Sequence, residues 1–141
     1  MHVFGIVLED GKEGFFEDEH PRYLFLYDGL LSEVAENLNI TPLKDFDGFS
    51  KAEQIANEKS DPNDTIAWLS AYNDARDSCE PKWFEPSEAI GAIEAAKDSI
   101  QKSLVQKPDD DIEYLVESLE VLIEILASAK ERGSKFFMAL M

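Results

Sequence analysis

Hydrophobic and polar positions recur at helical spacing most clearly over residues 109–132. Ile112, Leu115, Val116, Leu119, Leu122, Ile123 and Leu126 fall at intervals of three and four, which lines them along one face of a helix. Glu113, Glu117, Glu120 and Glu124 occupy the other side. Asp109, Asp110 and Asp111 stand where carboxylates satisfy free N–H groups and meet the positive end of the helix dipole, with Lys130 and Arg132 at the negative end. Gly133 is the expected stop. Residues 135–141 are apolar on both faces and begin only two positions later, so as a strand they must run back antiparallel along that helix.

A second helical stripe precedes this one. In Trp83-Phe84-Glu85-Pro86-Ser87-Glu88, Glu85 or the residue beside it begins a helix, Pro86 is preset for its first position and Glu88 reinforces the first turn. Ala89, Ile90, Ile93, Ala96, Ile100 and Leu104 then form a face of small and branched side chains. The spacing predicts an antiparallel hairpin of helices 86–105 and 111–132, joined through residues 105–111. Gly91 lies inside the first helix and reads as a close-packing position.

At the other end, residues 3–8 read as a short buried strand ended by the turn dipeptide Asp10-Gly11, and the natural neighbour of the C-terminal strand. Its second face needs cover, from Phe15 and Phe16 or from another subunit. Residues 23–27 fit a third strand by their aromatics and a helix by the spacing of Leu24, Tyr27, Leu31, Val34 and Leu38; we favour the strand, with Asp28 capping a helix over 29–37. Asn39 and Thr41-Pro42 end that helix. Residues 52–57 hold a helical turn or two, and residues 61–64 are turn chemistry. A helix over 65–76 capped by Asp64 would bury Ile66, Leu69 and Tyr72. This middle stretch is the expected place for exposed functional surface. The fold class that follows is a single α+β domain: a small two- or three-stranded sheet including both termini, packed on a helical layer with a C-terminal helical hairpin.

Charge changes the functional picture more than the architectural one. In 141 residues, 30 acids against 13 bases give a formal net charge of -17, and the acids are spread along the chain rather than gathered in a tail. With 44% hydrophobic residues the composition is that of a folded protein, so the acids describe a folded surface. Such a surface repels nucleic-acid phosphates and anionic membranes and favours a basic protein partner. Solvated acidity for solubility explains the same excess without a partner. Cys79 is the single cysteine, so no intrachain disulfide or common zinc framework exists, which suits a reducing compartment. The apolar run at the N-terminus is shorter than a signal sequence requires and has no basic flank, so the expected location is cytoplasmic.

Candidate chemistry is sparse. His2 and His20 are the two histidines, neither in a ligand or triad motif; His20 reads as a surface loop residue beside Glu17, Asp18 and Glu19. Asp77 and Glu80 around Cys79 disfavour a thiolate. Asp45-Phe46-Asp47-Gly48 opens like a calcium loop, but its glycine falls at the fourth place instead of the sixth, and Ala56 stands where a bidentate glutamate is needed. The seven glycines form no phosphate-cradling motif. Close carboxylate pairs are abundant but expected by chance at this acid content, so no catalytic residue, metal ligand or cofactor contact is assigned.

The remaining candidates for partner binding are Trp68, Trp83, Phe46 and Phe49, with Asp45 and Asp47 beside them. Trp83 and Phe84 also fit a hydrophobic staple before the helix that Pro86 opens, and Trp68 fits either the margin of a core or a contact surface. Thr41-Pro42-Leu43-Lys44-Asp45-Phe46, Trp83-Phe84-Glu85-Pro86-Ser87-Glu88 and the closing Arg132-Gly133 together resemble small bacterial proteins of unassigned activity, and that resemblance implies no function and no site residue. The expectation is a non-catalytic acidic binding protein, in one concrete form an inhibitor or immunity-type protein that neutralises a basic partner such as a nuclease. A homodimer through the apolar edge of the final strand is a further expectation. The alternative is a carboxylate-based metal-binding protein or hydrolase.

Overall fold

The computed structural model describes residues 4–11, 20–61 and 63–140. In chain order these form β1 (Phe4–Leu8), α1 (His20–Leu26), α2 (Asp28–Leu38), a 3-10 turn over Leu43–Phe46, α3 (Ser50–Lys59), α4 (Thr65–Ser78), α5 (Pro86–Gln106), α6 (Asp110–Glu131) and β2 (Phe136–Leu140). Helices dominate, and the sheet is a single antiparallel pair of the two strands near the chain ends. In its register Ile6 faces Met138 and Leu8 faces Phe136.

The α5 and α6 hairpin is the centre of the molecule. Ala89, Ile93, Ala96 and Ile100 of α5 are buried against Leu115, Leu119, Leu122 and Leu126 of α6, and the alanines let the two helices approach closely, whereas Gly91, expected at a close-packing position, is exposed with open space beside it. Asp109 caps α6 as its spacing predicts: its Oδ1 accepts from the N–H groups of Asp111 at 3.0 Å and Ile112 at 3.3 Å. The other end closes in a Schellman motif. Gly133, at φ 70°, donates to the Lys130 carbonyl, and Ser134 donates to the Ala129 carbonyl. Only a residue that tolerates the left-handed region turns the chain this sharply toward β2.

That turn is fastened to the start of the chain. The Glu9 N–H donates to the Lys135 carbonyl at 2.9 Å, the Asp10 N–H donates to Ser134 Oγ, and Arg132 Nε holds Asp10 Oδ2 at 2.7 Å. The sheet therefore sits across the C-terminal end of α6, with Ile6, Leu8, Phe136 and Met138 entering the core.

Three expectations are corrected here. Residues 23–27 do not make a third strand; they lie in α1 and its junction with α2, where Leu24 is fully buried and α1 packs along α6. The helical period of Leu24, Tyr27 and Leu31 prevails over the strand preference of the aromatics, because a helix presents all three to the core. Asp28 does not cap α2 but is its first helical residue. Finally, α4 begins at Thr65 with Asp64 accepting from Ala67 N–H, as predicted, yet Ile66 is 84% exposed and Leu69 44% exposed. This helix packs chiefly on α3, which buries Ala75, and among the described residues no second layer covers Ile66 and Leu69.

The edge of β2 that faces away from β1 is not open. Phe84 exchanges backbone hydrogen bonds with Phe136 at 2.8 and 3.0 Å, and the Gly48 N–H donates to the Met138 carbonyl at 3.1 Å. Segments of the same chain thus occupy the pairing positions on which an edge-to-edge dimer was expected. Phe15 and Phe16 lie outside the described residues; the Phe137 side chain is covered by Trp83, Phe49 and Gly48.

Candidate functional site

The concave, charged region of the molecule lies where α2, the 3-10 turn and α3 begin. The 3-10 turn places Lys44 and Asp45 at the surface while Leu43 and Phe46 point into the core. Asp47 then closes a local turn, its Oδ1 accepting the Phe49 N–H at 2.8 Å, and α3 starts at Ser50. Glu53, one turn into α3, and Asp28, at the start of α2, face the same space. The result is a cavity of about 380 Å³ lined by Phe25, Asp28, Lys44, Asp45, Asp47, Ser50 and Glu53.

Four carboxylates against one ammonium make this cavity electronegative. Burial raises the Asp28 carboxyl above its ordinary pKa, an effect that Lys44 partly offsets. Burial also raises Asp47 against the opposing hydrogen bond from Phe49. Glu53 is raised by burial and further by the charge of Asp47. Among the described residues Asp28 Oδ1 is buried with no hydrogen-bond partner. The three groups therefore share a cause: carboxylates partly removed from water.

An aromatic stack borders this region. Trp68 lies flat on Tyr72 with ring centroids 5.2 Å apart, its indole N–H donates to Asn57 Oδ1 at 2.7 Å, and the Arg76 guanidinium sits 5.8 Å from the Tyr72 ring. The Tyr72 phenol is raised by burial and by the charges of Asp47 and Glu53, which puts α4 within the field of the cavity.

Of the residues singled out from the sequence, Asp45 and Asp47 line the cavity, and Trp68 reaches its neighbourhood through Tyr72. Phe49 and Trp83 are half-buried in edge-to-face contact with Phe137, which makes them part of the cover of the sheet. Phe46 is 3% exposed and packs between Phe84 and Phe136, a core position rather than a contact surface. Phe25, Asp28, Lys44, Ser50 and Glu53 were missed. Glu53 follows Asp47 by six residues with a helix start between them, a spacing that could have suggested convergence. Nothing in the sequence brings Asp28 to them.

His20 is corrected as well. It opens α1, stacks on Tyr114 at 4.7 Å and places Nδ1 2.6 Å from the Oγ of fully buried Ser118, so it clasps α1 to α6. His2 lies outside the described residues. Among the described residues no three His, Cys, Asp or Glu side chains converge as a metal-holding group, and no helix is long and apolar enough to cross a membrane. Compared with protein-family models, curated proteins and solved structures, the chain matches none.

Proposed function

We propose that this protein is a non-catalytic acidic binding protein whose α2/α3 cavity receives a lysine or arginine side chain of a basic protein partner. The observation that carries the reading is the set Asp28, Asp45, Asp47 and Glu53 around one cavity, with Lys44 the one cation among the described residues that line it. A cation entering there relieves the repulsion between Asp47 and Glu53 and pairs with carboxylates already partly stripped of water, where Coulomb attraction is stronger than in bulk solvent. The net charge of -17 steers such a partner from a distance. An inhibitor or immunity-type role against a basic enzyme is the concrete form of this reading.

The test is capture of basic proteins on the immobilised chain at low and high salt, beside the double variant D47N/E53Q. Capture by the parent chain falls steeply with salt, and the variant captures less at every ionic strength. Binding indifferent to salt, or unchanged in the variant, would refute the proposal.

A further inference from the structure

A second concavity, of about 300 Å³, lies between α2, α5 and α6 at the end of the hairpin where α6 begins. Its walls are mostly apolar: Leu30 and Val34 from α2, Ile100 and Leu104 from α5, and Ile112 from α6, with Ser99 and Ser103 of α5 among them. On α2 the stripe continues one turn further to Leu38, which is 41% exposed. The mouth carries Lys107 and Asp109, followed by the exposed Asp110 and Asp111. These acids outnumber the single lysine.

The negative field reaches the start of α2. The Tyr27 phenol is raised by burial and by the charges of Asp111 and Asp109, and Tyr23 Oη donates to Asp111 Oδ1 at 3.4 Å. Asp109 spends Oδ1 on the cap of α6, which orients the carboxylate at the groove mouth. An apolar trough bordered by acids is complementary to one kind of protein surface, a helix with branched apolar side chains along one face and lysine or arginine flanking them.

We infer that this groove docks a basic amphipathic helix of the partner, with a leucine-like side chain seated between Leu30, Val34, Leu104 and Ile112 and basic residues over Asp109, Asp110 and Asp111. The inference rests on the reading that the partner is basic, and it adds a shape requirement that charge alone does not impose. Sequence periodicity did not reveal the groove, because Val34, Leu104 and Ile112 read as ordinary core positions and Leu30 lies beside the stripe that Leu31 and Val34 belong to.

The probe is a synthetic lysine and leucine peptide of about four helical turns, patterned with one apolar face. Its control is the same composition scrambled to abolish that face. Both are titrated into the full chain by calorimetry at low salt and at about 0.15 M, where exposed charges are screened beyond about 8 Å. The patterned peptide binds at least about tenfold tighter than the scrambled one, and L104Q loses that preference. V34Q, on the opposite wall, serves as the second variant, with circular dichroism reporting that each remains folded. Equal affinity for the two peptides, or a preference that survives both folded variants, overturns the groove while salt-sensitive binding of both leaves the basic-partner reading intact. Failure of both peptides to bind at low salt overturns that reading itself.

Discussion

Gly48 is where the loop leading into α3 meets the sheet, and replacing its hydrogen by a methyl group tests how tightly the fold is assembled around β2. A Cβ at this position would stand 2.5 Å from Cγ, 2.6 Å from Cδ2 and 2.9 Å from Cβ of Phe137. Of those atoms Cβ moves only with the backbone of β2, and Cγ and Cδ2 move only if the side chain rotates about Cα–Cβ. The ring cannot swing aside freely, because Trp83 and Phe49 pack against it in edge-to-face geometry with centroids 4.8 and 5.3 Å away. Nor can Gly48 retreat without lengthening two hydrogen bonds, its N–H to the Met138 carbonyl and its carbonyl from the Lys82 N–H. Overpacking of this kind costs about 1–3 kcal/mol, and the rigidity on both sides places G48A near the upper end, at about 2–3 kcal/mol. For a domain of this size that lowers the melting temperature by roughly 5–10 °C. Thermal unfolding followed by circular dichroism measures it. The pair G48A and F137A adds a sharper criterion. F137A alone leaves a cavity worth about 3–5 kcal/mol, but it also makes room for the methyl group, so the double variant should fall short of additivity by about 1 kcal/mol or more. A G48A protein melting within about 1 °C of the parent, or a strictly additive pair, would refute the packing argument.

Further outcomes follow from the caps, the core and the acidic cavity. D109A removes the acceptor for two N–H groups at the start of α6 and should cost about 1 kcal/mol, read as a shift in urea midpoint without a change in slope. L126A, at a fully buried position in the hairpin, should cost about 2–5 kcal/mol, a large share of the roughly 5–15 kcal/mol that holds a domain together; a cost under about 1 kcal/mol would contradict its place in the core. Asp28, Asp47 and Glu53 have raised pKa values in the folded chain, so their contribution is present at low pH and is lost as pH rises through the folded values. E53Q should therefore raise the urea midpoint at pH ~7 and lose that advantage near pH ~4, where the glutamate of the parent is itself protonated. An equal advantage at both pH values would point to a cause other than charge.

The hairpin, its caps and both strands were legible in the order of residues because each rests on local physics. The periods of 3.6 and 2, an aspartate at the N-cap, a proline at the first helical position and a glycine beyond the last turn act over a few residues and need no distant partner. Even the pairing of β1 with β2 was readable, since two short strands apolar on both faces have few places to go. The character of residues 23–27 was not, because Leu24 supports helix only once α6 is present to receive it. Likewise nothing local shows that Ile66 and Leu69 lack a second layer, or that Phe46 enters the core while Asp45 and Asp47 on either side of it turn outward.

Net acidity belongs to the chain as written, but the place where acidity becomes a site belongs to the tertiary structure. Asp28 is separated from Glu53 by the length of α2 and the 3-10 turn, and no spacing rule joins them. They meet because α2 packs on α5 and the 3-10 turn packs on α2 and β2, which carries the start of α3 to the start of α2. The burial that sets these carboxylates apart from the other acids, and the charge of Asp47 beside Glu53, arise only from tertiary packing, since both depend on distances through space that the covalent order leaves open.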